Sequence, residues 1–145
     1  MIIDTTYLLP LTSIGIDTDL LKAMEDNRIK LDISTLSISS ISIFELQAKA
    51  AKLDIPTVHT IEAIEVIDTV FKIQPFYNGK IVQVSYELLS YIKDYIDCII
   101  VATAIVLKED LITEDSKIHD NKDLIKKKYK IDVLNFNALI KSTNE

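Results

Sequence analysis

The sequence predicts an α/β fold in which helices cover both faces of a short parallel sheet. Two observations lead there. Short apolar runs alternate with longer segments of helical spacing, the order that builds parallel sheets. Two glycines and three prolines leave little material for long connections. Such folds place their sites at the carboxyl ends of strands.

The elements follow in order. Residues 1–4 (MIID) read as a short buried strand closed by an acid. Residues 18–29 have helical spacing in Leu20, Leu21, Met24 and Arg28. Residues 35–40 (TLSISS) alternate like a strand. Ser42 opens a helix through about Leu53, with Leu46, Ala50 and Leu53 inward, and Pro56 ends it. Residues 60–70 are amphipathic: Ile61, Ile64, Val66 and Ile67 recur while Glu62, Glu65 and Asp68 face away. Asn78-Gly79 is a turn signal. Residues 81–84 suit a short strand and 86–92 a short helix. Residues 94–108 give the clearest helix, with Ile96, Ile99, Ile100, Thr103 and Leu107 on one stripe. Residues 110–113 read as a strand, 122–130 as a polar helix, 131–134 as a last strand and 137–141 as a last short helix.

The 145 residues fit one domain, 1–145, large enough to bury a core. The start lacks a basic segment and meets an acid at once, which argues against a signal peptide. No apolar run is long enough to span a membrane. Cys98 is the only cysteine, so neither a disulfide within the chain nor a cysteine zinc site can form. A reducing cytoplasm is the expected compartment. His59 and His119 are far apart and read as surface or turn residues. The net charge of −6 disfavours a protein that coats nucleic acid through its overall field. It is compatible with a nuclease, whose metal site needs clustered carboxylates.

Four acids fall where such a site would form. Asp4 closes the first strand and Asp115 follows the strand at 110–113. Glu45 and Asp97 lie in the first turns of two helices. Two unit charges about 4 Å apart repel by about 4 kcal/mol at an effective dielectric near 20. Four together therefore call for a cation, and a hard divalent ion suits oxygen ligands. Three of the acids also have a plain structural reading, whereas Asp4, at the end of a buried strand, needs a partner. Ser42-x-x-Glu45 is a capping box, with Glu45 reaching back to its own helix. Asp94-x-x-Asp97 suits a helix N-terminus. Asp115 fits a turn, and Glu114 beside it would replace it if the turn rotated by one residue.

The same segments resemble PIN domains. Ile2-Ile3-Asp4-Thr5-Thr6-Tyr7-Leu8-Leu9 is similar to their opening strand and Asp-Thr motif. Ile41-Ser42-Ile43-Phe44-Glu45-Leu46 resembles the second motif, and the run from Tyr95 through Asp97 to Ala104 resembles the third. Leu111-Ile112-Thr113-Glu114-Asp115 resembles the fourth. All four stand in the expected order over residues 2–115. The resemblance implies a three-layer α/β/α sandwich and a divalent-metal-dependent ribonuclease using Mg²⁺ or Mn²⁺. Asp4, Glu45, Asp97 and Asp115 would be its acidic tetrad, with Asp4 and Asp97 as direct metal ligands and Glu45 and Asp115 acting through water. Thr6, Ser42 and Thr113 would support them. Many small members are homodimeric toxins paired with a small antitoxin protein, and others mature ribosomal RNA. Two departures bear on the toxin role: Pro10 and Gly15 interrupt the helix after Asp4, and Ala48 and Lys49 stand where a further acid is frequent.

Other readings remain beside this one. Phosphotransfer on a haloacid-dehalogenase-like fold wants an acid where Thr6 stands, and a receiver domain wants adjacent acids near the start. A catalytically silent interaction module is a non-enzymatic alternative. Lys126, Lys127, Lys128 and Lys130 surround Tyr129 and offer an RNA-binding patch; they equally suit a solvated helix end. Tyr7 and Phe44 flank two acids, and core packing is the expected role of both.

Overall fold

The computed structural model describes all 145 residues. Five parallel strands form one sheet in the order β3-β2-β1-β4-β5. They are β1 (Ile2–Ile3), β2 (Ser37–Ser39), β3 (Lys72–Gln74), β4 (Leu111–Ile112) and β5 (Val133–Leu134). The central strand β1 pairs with β2 through Ile2 and Ser37, and with β4 through Ile2–Leu111 and Ile3–Ile112.

Successive strand side chains point to opposite faces. Ile2, Leu111 and Val133 pack into one core, Ile3, Ile38 and Ile112 into another. The second of these cores takes residues from a 3-10 helix (Thr5–Thr12), α1 (Leu20–Glu25), α2 (Ile41–Lys52), α3 (Thr57–Val70) and α8 (Phe136–Asn144). The other takes α4 (Gly79–Leu88), α5 (Tyr95–Leu107), α6 (Ser116–Asp120) and α7 (Lys122–Tyr129). This is the expected three-layer sandwich. Helix α5 is buried continuously from Cys98 to Ala104, which explains a sequence apolar nearly all round. No helix is long and apolar enough to cross a membrane.

The structure corrects several local expectations. Residues 81–84 are not a strand but the middle of α4. Asn78 caps that helix by accepting from the Lys80 N–H at 3.0 Å, and Ile81, Ser85 and Leu88 are buried at helical spacing. The edge strand β3 was not expected. It carries a mixed, partly exposed sequence and pairs only with β2. Helix α1 is shorter than residues 18–29, and the short helix α6 is additional.

The topology fixes where a site can form. From β1 the chain builds outward through β2 to β3, then returns to place β4 on the other flank of β1. The helices following β1 and β4 therefore diverge, opening a crevice beyond the carboxyl ends of these two strands.

Candidate functional site

Asp4 leaves β1 into that crevice. It is 8% exposed, and both carboxylate oxygens are engaged. Oδ1 accepts from the Thr5 N–H at 2.7 Å, capping the 3-10 helix, and Oδ2 accepts from the Thr113 hydroxyl at 2.6 Å. Burial raises the Asp4 pKa. The two hydrogen bonds oppose that rise, nearby Asp115 adds to it, and Lys49 counters it.

Thr113, just beyond β4, is fully buried. While its hydroxyl donates to Asp4, the same oxygen accepts from the Asp115 N–H at 3.1 Å. Its carbonyl lies 2.7 Å from His119 Nε2. A carbonyl only accepts, so that nitrogen carries the proton. His119, read from the sequence as a surface or turn residue, thus anchors the turn that leads to Asp115. Asp115 in turn caps α6 by accepting from the Ile118 N–H at 3.0 Å. Glu114 accepts from the Tyr7 hydroxyl at 3.0 Å and the Phe136 N–H at 3.2 Å. Asp115, not Glu114, faces the cleft.

Glu45 does not close a capping box. Helix α2 begins at Ile41, so its N-cap is Ser40, two positions before Ser42, and Ser40 makes no side-chain cap bond. Ser42 is buried inside the first turn. Thr5 Oγ1 stands 2.6 Å from Glu45 Oε1 and 2.9 Å from Ser42 Oγ. A hydroxyl has one proton and a carboxylate can only accept, so Thr5 donates to Glu45 and accepts from Ser42. Ser42 thus supports the site through Thr5. Burial raises the Glu45 pKa, and Thr5 opposes the rise.

Asp97 lies in the first turn of α5. The N-cap is Asp94, which accepts from the N–H groups of Ile96 and Asp97 at 2.9 and 3.4 Å. The half-buried Asp97 carboxylate has no hydrogen-bond partner in the protein. Burial first, then Asp115, Asp94, Asp4 and Glu45, push its pKa up to about 7.

All four acids line one cleft of about 410 Å³, with Thr5, Thr6, Phe44, Lys49 and Lys52 among its walls. No three acidic, histidine or cysteine side chains are gathered tightly enough to enclose an ion. The site is thus an open cleft rather than a closed cage. The α7 lysines lie outside it. Lys126 pairs with Asp132 at 2.8 Å, Lys128 sits over the Tyr91 and Tyr129 rings, and Lys130 donates to the Lys127 carbonyl. Tyr7 is core, as expected, but Phe44 is 61% exposed at the mouth of the cleft. Sequence reading missed Thr5 and the two α2 lysines. Thr5 adjoins Asp4, and Lys49 and Lys52 share the helical face of Glu45, so both signals were present.

The chain matches the family model for the PIN domain over residues 1–124. No curated protein sequence matches it. Among solved structures it is similar to a toxin–antitoxin complex from Klebsiella pneumoniae, at 26% identity and a TM-score of 0.60 over 80% of this chain and 87% of that one. It is also similar to FitAcB from Neisseria gonorrhoeae, at 20% identity and a TM-score of 0.66 over 95% and 99%. A third is VapBC2 from Rickettsia felis bound to a promoter DNA fragment, at 19% identity and a TM-score of 0.62 over 92% and 96%. With the family model covering most of its length, the chain belongs to the PIN domain family.

Proposed function

We propose that this chain is a divalent-metal-dependent endoribonuclease, with Asp4, Glu45, Asp97 and Asp115 as its acidic site. One observation carries the reading: carboxylates from four separate segments line a single cleft, and that of Asp97 has no partner in the protein. Against them stand only two lysines in the cleft wall. With all acids ionised, two negative charges are left over, the amount one divalent ion cancels. The donors are all oxygen, which suits Mg²⁺ or Mn²⁺.

Asp4 and Asp97 would hold the ion directly, with Glu45 and Asp115 acting through water. Such an open set fits Mg²⁺, which keeps several waters and takes only one or two carboxylates. When bound, the ion supplies an activated water and offsets charge developing at the scissile phosphate. The protein's part is positioning. Thr113 fixes Asp4 and the backbone of Asp115 through one oxygen, and Thr5 fixes Glu45. Thr6 lines the same wall.

The similar toxin–antitoxin structures support a role as the toxin of such a pair, with a small antitoxin protein as partner; on this reading the chain would act in the cytoplasm as a homodimer. The test is cleavage of single-stranded RNA with Mg²⁺ or Mn²⁺, with EDTA, and by Asp97→Asn. The reading requires cutting in the first case alone. Metal-independent cutting would sink it.

A further inference from the structure

The α2 wall of the cleft carries residues that the acidic site does not account for. Glu45, Lys49 and Lys52 are spaced to share one face of α2, and all three line the cleft. The two lysines are its only basic lining residues, both are exposed, and neither takes part in an ion pair. Phe44 stands beside Glu45 with 61% of its surface exposed. It also borders a second hollow of about 370 Å³, lined by Ala48, Ala51 and Ile55 as α2 gives way to α3. The α2 wall beside the acids therefore carries two cations without ion pairs and an exposed ring that borders an uncharged hollow.

At 61% exposure the Phe44 ring adds little to the core. Beside free cations, it is the arrangement that proteins use for single strands: cations track the phosphates while a ring stacks an unpaired base. We propose that Phe44, Lys49 and Lys52 form the strand-binding wall of the cleft. Each lysine takes one phosphate of the strand leaving the acids, and Phe44 stacks a base at the edge of the second hollow. This rests on the nuclease reading above. It assigns substrate contact to α2 rather than to the lysines of α7, which are largely occupied within the protein. The occupant is an unpaired RNA strand, because a duplex keeps its bases stacked away from Phe44.

Two measurements test it on the full chain with a fluorescent single-stranded oligoribonucleotide. One is steady-state cleavage with Mn²⁺. The other is binding by anisotropy in EDTA over a salt series, where no cutting occurs. Lys49→Gln with Lys52→Gln should raise KM about tenfold. It should also flatten the logarithmic salt slope by about 1.4, since each phosphate contact on a single strand contributes about 0.7. Arginine at both positions should restore the slope. Phe44→Ala should weaken binding about tenfold or more, and Phe44→Trp should restore it. These side chains are exposed, so a circular-dichroism melt should be unchanged. A parental KM and salt slope in the double glutamine variant would overturn the proposal. So would unchanged RNA affinity in Phe44→Ala, which would return the hollow to a protein partner, or a larger loss from Lys127→Gln with Lys130→Gln. An unsubstituted protein that neither binds nor cuts RNA defeats the nuclease reading itself, and this inference with it.

Discussion

The Thr113 hydroxyl lies 2.6 Å from Asp4 Oδ2, joining the ends of β4 and β1, the two strands that flank the crevice. The same oxygen accepts from the Asp115 N–H at 3.1 Å. One buried hydroxyl therefore sets the position of two of the four acids.

Replacing Thr113 separates shape from bonding. Thr113→Val keeps the volume but leaves a buried carboxylate oxygen and a backbone N–H without their partner. The expected cost is about 2–3 kcal/mol, read as a lower urea midpoint at unchanged slope. Thr113→Ser should recover most of it. An unchanged midpoint in the valine variant would remove Thr113 from this role.

Glu45 offers a cleaner division between stability and activity. It bonds to the Thr5 hydroxyl rather than to its own helix N-terminus, and a glutamine carbonyl can accept the same bond. Glu45→Gln should therefore change stability by less than about 0.5 kcal/mol while lowering metal-dependent cleavage about tenfold or more. A large loss of stability would point back to a capping role.

The acid cluster makes the metal-free protein pH-sensitive. Asp97 titrates near 7 in the fold against an ordinary value of 3.8. The folded state thus holds the proton more tightly, and the stability this confers is complete below about pH 4 and lost as pH rises through about 7. Because Asp97 is half-exposed, solvent screening reduces the effect to about 1–2 kcal/mol. In EDTA, urea midpoints should fall between pH 5 and pH 8, and Asp97→Asn should flatten that fall. A midpoint rising over this range would contradict the assignment.

With two glycines in the chain, helix ends make do with other residues. Lys108 closes α5 in the left-handed region at φ 55°. Its side chain strains that conformation, so Lys108→Gly should stabilise the protein by about 0.5–1 kcal/mol in thermal melts. A lower melting temperature would show that the lysine side chain contributes more than its backbone costs.

What was legible in the sequence had local causes, and what was not had long-range ones. All four acids were legible because a strand end and a helix start leave local marks: Ile2-Ile3 before Asp4, and Asp94 three positions before Asp97. Residues 81–84 misled because Ile81, Val82 and Val84 are β-branched, whereas burial of Ile81, Ser85 and Leu88 decided for a helix. β3 is three residues long and held mainly by pairing with β2, a long-range cause that leaves no local pattern. The Thr5–Glu45 bond spans 40 positions, and only the folded chain brings its ends together. The exposure of Phe44 was likewise set by the packing of α2, not by its neighbours in sequence.

Calorimetric titration with Mn²⁺ at pH 8 measures whether these carboxylates bind one divalent ion. One ion per chain should bind, with binding abolished by Asp97→Asn and a metal-dependent rise in melting temperature lost with it. Equal Mn²⁺ binding by the parent and the Asp97→Asn variant, or no binding by the parent, would contradict it.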